Sequence, residues 1–417
     1  EAEEEPVAEE PVAEAEEEAA AEEPVAEAEE PAAEEAVELE ISGKVGYEGR
    51  LFANDAQHPG QPGNGNSSLF VEPEFYWSWN NGDDSLIFKP YYRLDSQDDE
   101  RSHGDIREFS YIHAGDDWEL RAGIRKEFWG VTEFQHLVDV INQTDSIEDV
   151  DGEDKLGQLM VNLSLVEDWG IVDLYLLPGF RERTFASEDG RLRAPMVIKG
   201  DEAEYESSAG QQHLDFAVRW SHTLGDFDIG SYWFHGTNRE PVFNVKVENG
   251  QTELTPYYQQ MDQFGLDVQA TIEDWLWKFE AIYRNAESDS FWATQAGFEY
   301  TYVGVMDTVA DVGFLMEYGW DSRGEADLRS DGAAMQNDLF IGSRLAFNDV
   351  QSSEILFGMG ADLEHNAFSF VMEATRRFGE DYKVNLDIRL YQSTNPFDAL
   401  YSIRDDDHLQ LTVERYF

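Results

Sequence analysis

From about residue 40 to Phe417 the chain is a succession of segments in which apolar and polar side chains alternate, and the gaps between segments alternate as well, short then long. A period of two is that of a strand with one apolar and one polar surrounding. The rhythm of the gaps restricts the fold further. The short ones are Asn80-Asn81-Gly82-Asp83, Gly115-Asp116-Asp117, Glu167-Asp168-Trp169-Gly170, Leu224-Gly225-Asp226, Glu273-Asp274, Gly304 to Asp307, Asn348 to Ser352 and Gly379-Glu380-Asp381. They are rich in the Asn, Asp and Gly that tolerate turn geometry. The others are mostly longer and more polar: residues 53–67, 95–104, 128–156, 179–209, 237–257, 322–336 and 393–406, with two short ones near 286–290 and 363–366. Turns on one side and loops on the other are the asymmetry of an all-β, closed, antiparallel transmembrane barrel, and the segments count to about 18 strands, with about 16 as the alternative. An even number puts both chain ends on the turn side.

No run of eighteen apolar residues exists, so a helical span is excluded, and the mean hydropathy of −0.54 is low because barrel strands are apolar on alternate residues only. The chain has no cysteine, which removes disulfides, thiol nucleophiles and Cys-based metal sites. The net charge of −59 argues against nucleic acid as a partner, since phosphate binding needs clustered Lys and Arg. Residues 1–36 hold about 17 Glu and no Lys or Arg, in approximate repeats of Glu-Glu-Pro-Val-Ala-Glu-Ala broken by Pro6, Pro11, Pro24 and Pro31. Residues 1–38 therefore read as a disordered, self-repelling acidic tail on the periplasmic side, and 39–417 as the barrel. The tail is either a solvating leader, the favoured reading, or an arm for a basic periplasmic protein. The opening residues lack a signal-peptide pattern, which suggests that the numbering begins after processing.

In Phe264-Gly265-Leu266-Asp267-Val268-Gln269-Ala270-Thr271 one face carries Phe, Leu, Val and Ala, and the other Gly, Asp, Gln and Thr. Trp and Tyr crowd strand ends, as at Trp118, Trp169, Trp275, Trp277, Tyr302 and Trp320, where amphipathic rings would sit at a membrane interface. The chain stops on an alternating strand, Leu409 to Phe417, whose terminal aromatic resembles the closing-strand signal of outer-membrane barrels; Arg415 departs from it. The deduced inner face carries both signs of charge, including Glu48, Arg93, Arg121, Arg125, Arg219, Asp267, Lys278, Glu280, Arg284, Glu317, Arg344, Arg377 and Arg389. A cross-linked polar lining is the default reading; the constriction candidates among these are Arg121, Arg125, Arg219, Arg284, Arg344, Arg377 and Arg389.

Residues 121–145 run from a strand into Phe128-Trp129-Gly130, then into a stretch with Phe134, Leu137, Val138, Asp139 and Ile141, ending at Asn142 to Asp145. In the order strand, Trp129-Gly130, Glu133, Asn142-x-x-Asp145, the chain resembles a group of porin-like proteobacterial outer-membrane barrels of largely unassigned function. The resemblance implies a loop folded inward against the wall, with Trp129, Glu133, Asp139, Asn142 and Asp145 as its candidate residues, narrowing a pore. The alternative is a short external helix capping its own loop.

Arg181, Arg183, Arg191 and Arg193 crowd the next long loop and would bind carboxylates or phosphates if they entered the lumen; pairing with nearby acidic residues is the favoured reading. Asp149, Asp151 and Asp154 surround Gly152 and would hold Ca²⁺ weakly at most, since full EF-hand spacing is lacking. No nucleophile elbow, phosphate loop or zinc helix appears, so no enzyme and no required cofactor are expected. The sequence reads as a passive outer-membrane channel for small polar solutes, in contact with lipid and lipopolysaccharide, with a homo-oligomer left open. The alternatives are the partner of an export system for lipid or hydrophobic cargo, which the resemblance suggests, and a plugged anchoring barrel.

Overall fold

The computed structural model describes residues 37–417 except 59, 62, 249–250, 325–335, 366 and 397. The expected tail thus lies almost wholly outside the described residues. In chain order the strands are β1 (Glu38–Phe52), β2 (Gly65–Trp79), β3 (Asp84–Asp95), β4 (Gly104–Ala114), β5 (Trp118–Arg125), β6 (Gln158–Glu167), β7 (Gly170–Pro178), β8 (Val197–Ile198), β9 (Glu204–Tyr205), β10 (Leu214–Leu224) and β11 (Phe227–Thr237). There follow β12 (Val242–Glu248), β13 (Gln251–Tyr258), β14 (Gln260–Ile272), β15 (Trp275–Ala286), β16 (Ser290–Tyr302), β17 (Asp311–Asp321), β18 (Asn337–Ala346), β19 (Glu354–Asp362), β20 (Phe368–Phe378), β21 (Tyr382–Gln392) and β22 (His408–Tyr416).

All except β8, β9, β12 and β13 form one 18-stranded antiparallel sheet. It closes where β1 pairs β22, with Lys44 opposite Tyr416 and Arg50 opposite Gln410. The strand number is the one expected, and closure leaves no free sheet edge in the wall. The turns fall where the Asn, Asp and Gly clusters predict: Asn80, Asn81, Asp307 and Asn348 take positive φ, as do Gly225 and Gly379. The remaining four strands build a small sheet on the loop side, in which the β12–β13 hairpin pairs in parallel with β8 and β9.

Alternation sends Phe264 and Leu266 outward while Gln263 and Asp267 are buried inside. Exposed rings flank the apolar band at both ends of the strands: Trp118, Trp275, Trp277 and Tyr302 on the turn side, Trp292, Tyr318 and Trp320 on the loop side. This is an exterior suited to a bilayer. One bulge disturbs the wall. The register between β3 and β4 shifts at Lys89/Pro90, where proline has no N–H to give, and the consecutive residues Arg107 and Glu108 both turn inward.

The interior departs from a continuous polar lining. Met160, Tyr175, Leu177, Ala217, Tyr232, Phe234, Met261 and Ile282 form an apolar cluster on the inner wall, and residues of the connection between β5 and β6 complete it.

Candidate functional site: the lumen and its inward loop

Residues 126–157, between β5 and β6, fold into the barrel. An apolar stretch in an outside loop would face water; inside, Trp129, Val138, Val140 and Ile141 are buried against the apolar wall cluster. The Trp129 ring lies 4.8 Å from Tyr232 and 5.5 Å from Tyr175, and the Arg219 guanidinium sits 5.1 Å from its centroid. Arg219 is fixed there by Asp267, at 2.7 and 2.9 Å. No external helix forms from these residues.

Asn142 ties the loop's two ends together. Its side-chain oxygen accepts from the Glu127 N–H at 2.8 Å, and its amide donates to the carbonyls of Arg125 and Leu156 at 2.9 and 2.8 Å. Asp139 accepts from the Trp129 N–H at 3.4 Å and pairs with Lys155 at 3.2 Å; enclosure nevertheless leaves its carboxyl above the ordinary range. Asp145, fully buried, meets Arg107 at 2.6 Å, and Glu148 beside it meets Arg107 and Arg93 at 3.0 and 2.7 Å. Of the expected loop residues, Trp129, Asp139, Asn142 and Asp145 therefore hold the loop in place. Glu133 faces the space that remains.

Two wall carboxylates complete the seating. Glu280, on β15, accepts from the N–H groups of Val131, Thr132 and Val138 and from the Thr132 hydroxyl, at 2.7 to 3.2 Å. Glu317, on β17, accepts from the N–H groups of Glu133 and Phe134 at 2.8 and 3.2 Å and from Gln295 at 3.0 Å. Buried carboxylates need partners, and here the partners are loop backbone.

Between the loop and the wall strands β15, β16 and β18–β21 lies a cavity of about 930 Å³. Its charged lining holds five carboxylates, Glu133, Asp151, Glu153, Glu299 and Glu373, against Lys278, Arg344 and Arg389, with His136 beside them. Glu133 joins Lys278 at 2.6 Å and Arg344 at 3.5 Å. Enclosure alone would raise the Glu133 carboxyl; Lys278 and Arg344 outweigh it and hold it below the ordinary range. Across the cavity Arg389 joins Asp151 at 2.9 Å and Asp149 and Glu373 at 3.5 Å.

The other candidate arginines do not converge. Arg121 pairs with Glu119, and Arg125 with Glu127 at 2.8 Å. Arg284 meets Glu240 at 3.0 Å, and with Arg323 holds that loop carboxyl down at about 2. Arg377 is exposed at the turn-side rim, 5.6 Å from the Tyr416 ring. In the arginine-rich loop, Arg181 pairs with Asp105 at 2.9 Å, and Arg191 is buried on Asp406 at 2.7 Å. Arg193 donates to the carbonyls of Glu188 and Ala194 at 3.1 and 2.8 Å, and the Arg183 N–H donates to the Tyr258 hydroxyl at 2.9 Å. These four brace the loops and do not form a cluster at the constriction. Of the candidate arginines, Arg344 and Arg389 alone line the main cavity.

Asp149 and Asp151 meet at Arg389, which already supplies their counter-charge. Among the described residues the ligand oxygens of Asp149, Asp151 and Asp154 do not gather within reach of one ion; His103, Asp145 and Glu148 do, and there Arg107 occupies both carboxylates. Sequence reasoning passed over Arg107, Glu148 and Arg239, which donates to the Ile141 carbonyl at 2.9 Å and pairs with Asp215 at 2.7 Å. Alternation places Glu280 and Glu317 on the inner face but gives them no role.

No protein-family model and no curated protein matches the chain. Among solved structures it is similar to variants of the Rhodopseudomonas blastica porin, at 9–10% identity with TM-scores of 0.42–0.43, covering 91% of this chain and 100% of those. A structure titled "Asymmetric conductivity of engineered proteins" stands at 10% identity and TM-score 0.42 over the same share of each chain. Such values leave the functional reading to the chain's own geometry.

Proposed function

We propose that the protein is an outer-membrane channel through which small polar solutes diffuse passively, with the 126–157 loop as its narrowing element. The observation that carries this reading is the cavity of about 930 Å³ left between that loop and the wall. A loop seated only to fill the barrel would not need to leave water-sized space beside a ladder of charges. The outward apolar band, its two aromatic girdles and the division into turns and loops support an outer-membrane setting, with the turns toward the periplasm. The carboxylate surplus of the lining favours cations and neutral solutes over anions.

The test is permeation into vesicles containing the refolded full chain, with uncharged sugars graded in size. Entry rates that fall with solute size support the reading. Vesicles impermeable to the smallest sugar, with the barrel folded and inserted, overturn it; the plugged anchor or the export partner would then be pursued by deleting residues 1–38.

A further inference from the structure

A lumen that served only fully hydrated solutes would be polar throughout, and this one is not. Next to the charge ladder the inner wall carries Phe340, Leu356 and Val371, and the loop faces them with Phe134, whose ring stacks on Phe340 at 4.8 Å. A second cavity of about 240 Å³ shares Val150 and Ile403 with the first and continues into the loop side between Phe185, Leu192, Met196 and Ile198. Phe185 in turn meets Phe243 of β12 at 5.8 Å, and on the same face of that strand Val245 and Val247 stand 64% and 73% exposed. Apolar surface kept open to water marks a surface for binding.

The polar part of the lining has a sign. At the cavity the Glu153 and Glu373 side chains are 51% and 42% exposed and that of Arg344 37%, while those of Lys278 and Arg389 are 4% and 12% exposed behind their partners, so that carboxylates outnumber cations on the open surface. Aromatic faces and open carboxylates beside an apolar track are complementary to a cation with an apolar body.

Resting on the channel reading, we propose that the passage selects organic cations bearing an aromatic or alkyl body, which enter along the apolar track and place the cationic head among the carboxylates of the main cavity.

The test compares three probes on the folded full chain in detergent by calorimetric titration: phenyltrimethylammonium, tetramethylammonium and benzenesulfonate. The first should bind about tenfold more tightly than either of the others, since burying a phenyl ring adds roughly that much and the sulfonate meets the wrong charge. L356N and V371N should each reduce the preference over tetramethylammonium to about twofold or less. Equal binding of the two cations, tighter binding of benzenesulfonate, or no binding of any probe overturns the proposal. Because binding is read without conduction, failure here is distinct from failure of the vesicle test.

Discussion

Glu280 and Thr132 are joined twice: the backbone N–H and the hydroxyl of Thr132 both donate to Oε1 of Glu280, at 3.0 and 2.8 Å. With the N–H groups of Val131 and Val138 on the same carboxylate, one wall residue satisfies a turn of loop that the barrel has removed from bulk water. The loop is thus part of the wall's hydrogen-bonding and not a lid resting on it.

Glu280→Ala leaves the N–H groups of Val131, Thr132 and Val138 without that acceptor, while the Thr132 hydroxyl keeps the Gln135 carbonyl at 2.7 Å. It should destabilise the seated loop by about 3 kcal/mol, each orphaned donor costing about 1–3 kcal/mol. The expected result is a lower unfolding midpoint and noisier, larger open-channel currents, with Glu280→Gln recovering most of the loss because its side-chain carbonyl still accepts. An unchanged midpoint and current in the alanine variant would show that the carboxylate does not hold the loop.

Asp154 and Asp151 lie in the loop, outside the strands. Enclosure in the barrel comes first, with Glu148, Asp151 and Asp149 around Asp154 and with Asp149 beside Asp151; together these push the carboxyls up to about 7 and about 6. For acids raised in the folded state, the contribution to the seated loop is complete below their ordinary range near 3.8 and is lost as pH rises through 6 and 7. Both side chains also open onto lumen water, which screens the effect on stability. The same titration adds negative charge beside the cavity, so cation selectivity, read from reversal potentials, should increase from pH 5 to pH 8 with its midpoint between the two values. D151N with D154N should flatten the curve. A flat profile in the unaltered protein would contradict the assignment.

Arg191 and Asp406 form a buried pair at 2.7 Å between the 179–213 and 393–407 connections. Removing one partner strands a buried charge, at a cost of about 3–5 kcal/mol, whereas replacing both with apolar residues restores a matched surface. R191L and D406L should each open these loops to protease while the barrel core stays resistant, and the double variant should be cut more slowly than either. Equal cutting in all three would place the loops' stability elsewhere.

Much of this architecture is legible in the sequence, because a membrane barrel writes its strands as a period of two and its two sides as turn chemistry against loop length. The strand number and nearly every connection follow from those signals, down to the positive-φ turn residues Asn80, Asn81 and Asn348. The inward loop is legible from Phe134, Val138 and Ile141, whose apolar side chains have no place outside. Arg107 is not, because the bulge at Lys89/Pro90 breaks the alternation that assigns faces. Glu280 and Glu317 are legible as inner-face residues but not as anchors, since their partners are backbone N–H groups, which leave no mark in a sequence. The Arg191–Asp406 pair spans 215 residues, and charge counting cannot choose among the many acidic residues as its partner.

A loop that narrows the passage through this barrel without sealing it leaves a conducting path. Single-channel recording of the refolded full chain in planar bilayers, with the reversal potential under a salt gradient, tests it most directly. Stable unitary steps with a cation-selective reversal potential, enlarged in Glu280→Ala, are the predicted result. Silence from a folded, inserted barrel, or steps selective for anions, would contradict it.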